Sequence, residues 1–249
     1  MIAVSPFLAV RLDFSIPFIA PLVAISALQF AAGILVYRSY LYGVYSIVAP
    51  IVYAYPAVTV ALSVLFLNDM LTLLQILALV AVLVGVATLS TRTSTLRSSL
   101  AEKGKKSLLP GVSTAITAAT FFGLSFFGLG VIVPSTGFFL PALFSSVFSF
   151  LAGIVLAPAF RIHVWPSREK VTKPIVLMSF FRSLGILSFN LGVESAGSSL
   201  SVVTAISSLG AAFVVAYAVA IVRERPEPIQ AVGIATSVLG VASLLYLTS

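Results

Sequence analysis

The chain has 249 residues, of which 60% are hydrophobic and only 8% are charged. Soluble domains carry about a quarter charged residues, so this composition excludes a soluble protein and predicts a membrane protein. The absence of cysteine rules out disulfides and thiolate metal sites, and the net charge of +7 is scattered over short connectors, which argues against a nucleic-acid partner.

The sequence opens with a short apolar segment, Met1–Val10, which cannot cross a bilayer of about 30 Å. Arg11 and Asp13 follow this segment and no basic region precedes it, so it lacks the order of a secretory signal. We expect the segment to be the end of a membrane helix.

Eight apolar stretches follow that are long enough for spanning helices, which need roughly 20 residues each. No connector is long enough for a soluble domain, and the strands of a membrane barrel would alternate in polarity over about ten residues. The sequence therefore predicts an all-α, polytopic membrane helix bundle. Its predicted helices cover residues 16–36, 44–67, 70–90, 108–132, 137–157, 174–193, 200–222 and 228–247.

Part of the chain is duplicated. Residues 46–89 repeat without a gap at residues 201–244, at an offset of 155, with 12 identities in 44 positions that include Gln75 with Gln230. Many secondary transporters are built from such repeats, with the substrate site between them. The predicted organisation is a first repeat over 1–94 that lacks about two N-terminal helices, a basic linker over 95–107 and a second repeat over 108–249.

Positive charge is confined to alternate connectors, which is a topology signal in membrane proteins. The connectors between them contain no Lys or Arg, so the charged ones are predicted to face the cytoplasm and the C-terminus to face outward. The charged connectors contain Arg92, Arg97, Lys103, Lys105 and Lys106; Arg161, Arg168, Lys170 and Lys173; and Arg223 and Arg225.

Both repeats share an order of features: a small and polar helix end, an acidic turn, then Gln and Gly. In the first repeat these are Ser46–Pro50, Pro56–Val60, Leu67–Asp69, Gln75 and Gly85. In the second they are Ser201–Ala205, Leu209, Arg223–Arg225, Gln230, Gly233 and Gly240. This order resembles an EamA-type transporter of the drug/metabolite transporter superfamily. The resemblance implies two inverted repeats of five helices with both termini in the cytoplasm, so this chain would be a shortened member or would begin upstream of Met1.

Three charged residues lie in or at the ends of predicted helices, namely Arg38, Arg182 and Glu194. A charge inside the hydrocarbon costs at least about 2.5–3.5 kcal/mol, which marks such residues as functional candidates. Asn190 lies one turn before Glu194 on the same helix face. We predict that Arg182 and Asn190 bind an anionic or zwitterionic substrate and that Glu194 carries a proton. The alternative is that Glu194 lies at a hydrated helix end and Arg182 extends to the membrane surface.

Six of the eight tyrosines fall within residues 37–55, where most would anchor a helix at the membrane interface. Tyr53 and Tyr55 lie deeper, beside prolines that free backbone carbonyls, a feature tolerated where a cavity can satisfy them. We predict that Tyr53 faces a substrate cavity, and that Ser207 and Ser208 do so from the equivalent stretch of the second repeat. The alternative is that the serines serve only in packing.

Small residues recur at four-residue spacing in Ala81–Gly85 and Gly233–Ser237, which is typical of close helix packing in lipid or, alternatively, of a homodimer interface. Asp69 is interpreted as a helix-start residue that interacts with the helix dipole, without a transport role.

The sequence offers no catalytic or cofactor-binding constellation, since His163 is its only histidine and no phosphate-binding loop is present. We therefore predict a multi-pass protein of the cell membrane that is not an enzyme and needs no cofactor. Its predicted function is secondary transport of a small metabolite, amino-acid derivative or drug-like molecule by alternating access, with proton coupling through Glu194. The alternative is a non-transporting membrane scaffold or subunit, or a truncated remnant of a ten-helix transporter.

Overall fold

Long apolar helices make up most of the protein in a computed structural model, and the predicted all-α membrane helix bundle is confirmed. The structure describes residues 2–5, 8–10, 16–43, 45–89, 109–156, 169–195, 200–207 and 227–248. The helices in these ranges are α1 (Ile16–Tyr42), α2 (Tyr45–Val52), α3 (Tyr55–Phe66), α4 (Leu73–Leu89), α5 (Leu109–Thr136), α6 (Phe139–Leu156), α7 (Glu169–Ser195), α8 (Leu200–Ser207) and α9 (Pro228–Thr248).

Five helical segments among the described residues are long and apolar enough to cross a membrane. They are Pro17–Tyr42, Ile47–Phe66, Pro110–Thr136, Phe139–Leu156 and Val176–Ser195, and α4 and α9 contain shorter apolar stretches at Leu73–Thr88 and Pro228–Leu244. Seven of the eight predicted spanning segments thus coincide with described helices. The eighth, predicted over 200–222, is described only over α8.

The prediction that the first ten residues end a helix is wrong for the part that the structure describes. Strands β1 (Ile2–Ser5) and β2 (Leu8–Val10) pair antiparallel, with Ile2 opposite Val10. Pro6 lies between them in the sequence and disfavours the helical conformation for the residue before it. A segment this short also gains too few hydrogen bonds to offset the cost of starting a helix.

The single helix predicted over residues 44–67 is interrupted at Tyr53 and Ala54, between α2 and α3. The N–H of Ala54 donates to the carbonyl of Ile51 at 3.2 Å, which tightens the last turn of α2. Pro56, in the first turn of α3, has no N–H to donate to the carbonyl of Val52. The proline therefore ends one helix and begins the next within a single membrane-spanning segment.

The duplication in the sequence is also visible in the helix boundaries. Adding the offset of 155 to the ends of α2, Tyr45 and Val52, gives Leu200 and Ser207, which are the ends of α8. Two eight-residue helices of the two repeats therefore begin and end at equivalent positions.

Helices α4 and α9, which are equivalent in the two repeats, pack against each other through their glycines. A Cβ added to Gly85 would lie 2.6 Å from the backbone nitrogen of Ser237, and one added to Gly240 would lie 2.8 Å from Val82 Cγ2. From Gly85 to Val82 the residue number falls on α4, while it rises from Ser237 to Gly240 on α9. The two helices are therefore antiparallel. In the two repeats, Ser237 corresponds to Val82 and Gly240 corresponds to Gly85. The contact of Gly240 with Val82 is therefore the counterpart, in the other repeat, of the contact of Gly85 with Ser237.

The predicted close packing of small residues is thus confirmed, and it occurs within one chain. The surrounding core contains Val82, Val86, Val241 and Leu244, each at most 5% exposed. This apolar contact between equivalent, antiparallel helices is the arrangement expected of inverted repeats.

Equivalent glutamines lie in the first turn of these two helices. Gln75 Oε1 accepts hydrogen bonds from the N–H and the hydroxyl of Thr72, at 2.8 and 3.1 Å, and the N–H of Gln75 donates back to Thr72 Oγ1 at 3.3 Å. Gln230 Oε1 accepts from the N–H of Glu227 at 3.1 Å. The repeated glutamine is therefore the third residue of its helix, where it completes a capping motif with the residue before the helix.

The chain forms two compact units. The first comprises Met1–Phe30 and Gly128–Gly197, and so includes α6 and α7 with the start of α1 and the end of α5. The second comprises Ala31–Phe127 and Ser198–Ser249, and so includes α2, α3, α4, α8 and α9 with the remaining parts of α1 and α5.

Candidate functional site

In the second unit, an aromatic and hydroxyl cluster lies at the break between α2 and α3. Tyr55, the first residue of α3, stacks on Phe126 with ring centroids 5.0 Å apart and lies 6.1 Å from the ring of Phe122. Its hydroxyl is 3.4 Å from the hydroxyl of Ser207, the last residue of α8. Ser207 donates its own proton to the carbonyl of Thr204 at 2.7 Å, so Tyr55 is the donor in the pair.

Close contact between α3 and α5 holds Tyr55 in this position. Thr59, one turn further along α3, is fully buried and donates to the carbonyl of Gly123 at 3.0 Å. A Cβ on Gly123 would lie 2.7 Å from Val58 Cγ1 and 3.0 Å from the carbonyl oxygen of Tyr55. The glycine thus lets the two backbones approach, and the threonine binds them together.

The structure brings Ser207 beside Tyr55, a residue that was not predicted to bind substrate. Tyr53 is half-buried and packs against the apolar core that includes Val60 and Val82. Ser208, also predicted to bind substrate, lies outside the described residues. The feature of the sequence that favours Tyr55 is its position directly before Pro56, where one helix has ended and α3 begins.

In the first unit, Asn190 and Glu194 bind the backbone of the same residue, Phe138. Asn190 Nδ2 donates to the carbonyl of Phe138 at 3.0 Å, and the N–H of Phe138 donates to Glu194 Oε2 at 3.0 Å. Phe138 lies between α5 and α6, next to Gly137, whose φ of 78° favours glycine. Asn190 and Glu194, which were predicted to lie on one face of their helix, therefore hold the turn at Phe138 against α7.

Several buried polar atoms of the first unit have no hydrogen-bond partner among the described residues. Asn190 is fully buried, and its Oδ1 accepts no bond there. The same is true of Gln29 Oε1 on α1 and of Ser145 Oγ and Ser149 Oγ on α6. Since an unpaired polar group is costly to bury, these atoms are candidates for contact with a polar ligand or water.

Gln29, Ser145 and Ser149 were not among the candidates predicted from the sequence. A signal was present, because Gln29 is a lone amide in an apolar helix and the two serines are four residues apart on one helix face. Phe30 and Phe148, their neighbours in the sequence, meet edge to face with ring centroids 6.3 Å apart. This contact places α1 next to α6 at the level of the unpaired groups.

Arg182 lies on an exposed stretch of α7. Its large apolar neighbours are exposed as well, including Met178 at 57% and Phe181 at 59%. A long cationic side chain on such a face can bury its methylene groups and direct its charged end toward the membrane surface.

Asp69 is buried, with 6% of its surface exposed. Its Oδ2 accepts hydrogen bonds from Ser63 Oγ at 2.9 Å and from the N–H of Ser201 at 3.0 Å. Ser201 is in the first turn of α8, so the carboxylate does lie at a helix start, as the sequence predicted. That helix belongs to the other repeat, however, whereas α4, which follows Asp69 in the chain, is capped by Thr72.

Metal-ligating side chains do not cluster in the described part of the chain, where no group of three or more His, Cys, Asp or Glu residues is found. The candidate groups are instead hydroxyls, amides and aromatic rings, which bind by hydrogen bonding and stacking.

Comparison with known proteins gives a family for this chain. The sequence profile of a family described as the EamA-like transporter family matches residues 109–246. No curated protein matches. Seven chains of solved structures do. One, described only as "Crystal structure of protein", is 14% identical and aligns with a TM-score of 0.68 over 93% of this chain and 77% of that chain, which shows a shared fold.

Proposed function

Since the chain belongs to the EamA-like transporter family and is a multi-pass integral membrane protein, we propose that it is a secondary transporter that works by alternating access. The family suggests a membrane transporter of the drug/metabolite transporter superfamily. The proposed substrate is a small metabolite, amino-acid derivative or drug-like molecule.

The observation that carries this proposal is the interrupted helix in the first repeat, whose first part, α2, has the same bounds as α8 of the second repeat. Interrupted helices near the middle of the membrane form the substrate sites of many transporters built from inverted repeats. Here α2 ends at Val52, in the interior of the span Ile47–Phe66, and α8 has the same bounds at an offset of 155. Tyr55 is the first residue after the interruption and Ser207 is the last residue of α8, and their hydroxyl oxygens are 3.4 Å apart.

We propose that Tyr55 and Ser207 contact the substrate in the second unit. The tyrosine supplies an aromatic face and a hydroxyl, which suits a substrate with one polar and one apolar part. In the first unit, the unpaired Asn190 Oδ1 is proposed to accept a hydrogen bond from a donor on the substrate. We also retain Tyr53, Ser208 and Arg182 as proposed substrate-binding residues.

Proton coupling is proposed to involve Glu194, the only carboxylate in the five spans of the described residues. Its bond to the N–H of Phe138 is charge-assisted while the carboxylate is ionised and weaker once it is protonated. Proton uptake would therefore loosen the turn between α5 and α6, which is a way to link a proton to a movement of helices.

Transport by the purified protein in liposomes tests the proposal. The liposomes contain a pH-sensitive dye and are exposed to a mixture of amino acids or, separately, to ethidium. We expect substrate entry with a proton signal, loss of that signal in Glu194→Gln and slower entry in Tyr55→Phe. If wild-type liposomes match empty ones for every compound, the non-transporting scaffold becomes the better interpretation.

A homodimer would need a different surface from the small-residue pattern that the sequence offered as an alternative interface. The small residues offered as its interface, such as Gly85 and Ser237, are occupied by the packing of α4 on α9 within the chain. We retain the homodimer as a proposal that cross-linking in native membranes tests.

A further inference from the structure

A cavity of about 340 Å³ lies in the second unit at the end of α3. This volume is within the range of pockets that bind small molecules. Asn68 adopts a left-handed conformation, with φ 51°, in the turn that follows α3. The lining includes apolar side chains, Val60, Val64, Leu71 and Leu79, and two polar residues of the turn, Asn68 and Asp69.

Among the described residues that line this cavity, Asp69 is acidic and none is basic. Asp69 uses Oδ2 for its two hydrogen bonds, with Ser63 and Ser201, and no described residue hydrogen-bonds to its Oδ1. The lining that the structure describes contains no Lys or Arg, and the sequence places none between Arg38 and Arg92. A buried carboxylate is costly unless a cation or several hydrogen bonds compensate its charge. The two hydrogen bonds to Oδ2 compensate part of this charge, and a ligand cation at Oδ1 would add to that compensation.

We propose that this cavity binds a small amphiphilic organic amine. Its ammonium group pairs with Asp69 Oδ1, and its apolar part packs against Val60, Val64 and Leu79. A bare metal ion does not fit, because Mg²⁺ and Ca²⁺ require about six or more oxygen ligands and the walls of this cavity are mostly carbon. The site is a binding site in its own right and does not depend on the proposed transport function.

Calorimetry on the full-length protein in detergent tests the proposal, with protein-free micelles as the blank. The probe is phenethylammonium at pH 7, and its matched control is 2-phenylethanol, which has the same ring and chain but no charge. We expect the cation to bind at least about 10-fold more tightly than the alcohol, since a charge-assisted hydrogen bond in a buried site is worth about that factor or more.

Three variants locate the site. Asp69→Asn keeps an oxygen that can accept from Ser63 and Ser201 but removes the charge, so the advantage of the cation should fall to less than about 3-fold, below the value of one charge-assisted bond. Ser63→Ala removes one hydrogen bond and keeps the charge, so that advantage should persist. Val64→Trp fills the cavity and should abolish binding of both compounds.

Equal affinity of the wild-type protein for the cation and the alcohol would overturn the proposal and indicate an apolar groove occupied by lipid chains. So would cation binding by Asp69→Asn that matches the wild type. The comparison of the two ligands on the wild-type protein needs no variant, so the proposal stays testable if Asp69→Asn fails to fold. None of these outcomes depends on transport.

Discussion

Replacing Gly85 with alanine should destabilise the contact between α4 and α9. The new Cβ would lie 2.6 Å from the nitrogen of Ser237 and 2.9 Å from the carbonyl oxygen of Gly233. Both are backbone atoms of a helix, which a change of rotamer cannot move. The two helices must therefore separate by several tenths of an ångström, in a core where Val82 is fully buried.

The cost follows from two opposing effects. Overpacking of a close contact costs about 1–3 kcal/mol. An alanine in a helix interior is favoured over glycine by about 0.5–1 kcal/mol, which offsets part of that cost. A net loss of about 0.5–2 kcal/mol corresponds to a melting temperature lower by about 1–8 °C for a chain of this size.

Thermal unfolding in detergent, followed by circular dichroism, measures the effect. Gly33, Gly153 and Gly185 are matched controls because each lies in a helix and an added Cβ at each meets no atom within 4 Å. Alanine at these positions should leave the melting temperature unchanged or raise it slightly. If Gly85→Ala unfolds at the same temperature as Gly153→Ala, the close approach of α4 and α9 is refuted.

Three further predictions concern side-chain hydrogen bonds. Glu194→Gln keeps an oxygen that can accept from the N–H of Phe138 but removes the charge, so it should lose about 0.5 kcal/mol in thermal unfolding, whereas Glu194→Ala should lose about 1–2 kcal/mol. Gln75→Ala removes a cap and should cost about 0.5–1 kcal/mol in the same assay, with the wild type as the reference. Tyr55→Phe should preserve stability to within about 0.6 kcal/mol, since it removes one interhelical hydrogen bond and keeps the ring contacts; a larger loss would mean that the hydroxyl has a mainly structural role.

The sequence was sufficient to predict the bundle because membrane helices must be long, apolar and internally hydrogen-bonded. It was less informative about the break at Tyr53 and Ala54. Pro50 and Pro56 both permit a kink, yet Pro50 lies inside α2 and only Pro56 accompanies a helix start. Which proline interrupts a helix depends on contacts such as that of Gly123 with Val58, which are distant in the sequence.

The candidate site was predictable only in part, for the same reason. The periodicity of a helix was enough to place Asn190 and Glu194 on one face, but it gave no sign that both would bind Phe138. Asp69 shows the limit more clearly. A carboxylate in a turn before a helix normally caps that helix, whereas this one reaches Ser201, which lies 132 residues away in the sequence.

The two equivalent glycines, Gly85 and Gly240, test whether the two repeats are packed equally tightly at this contact. An added Cβ on Gly240 would meet the methyl group Val82 Cγ2 at 2.8 Å, then the carbonyl oxygen of Ala78 at 2.9 Å. At both glycines the nearest neighbour is a side-chain atom, Ser237 Oγ for Gly85 and Val82 Cγ2 for Gly240. The nearest backbone atom, however, is 2.6 Å from the added Cβ at Gly85 and 2.9 Å from it at Gly240. Gly240→Ala should therefore be destabilising, but by about half as much as Gly85→Ala, which is a net loss of about 0.3–1 kcal/mol. Equal losses in the two variants would mean that this difference in backbone distance does not set the cost.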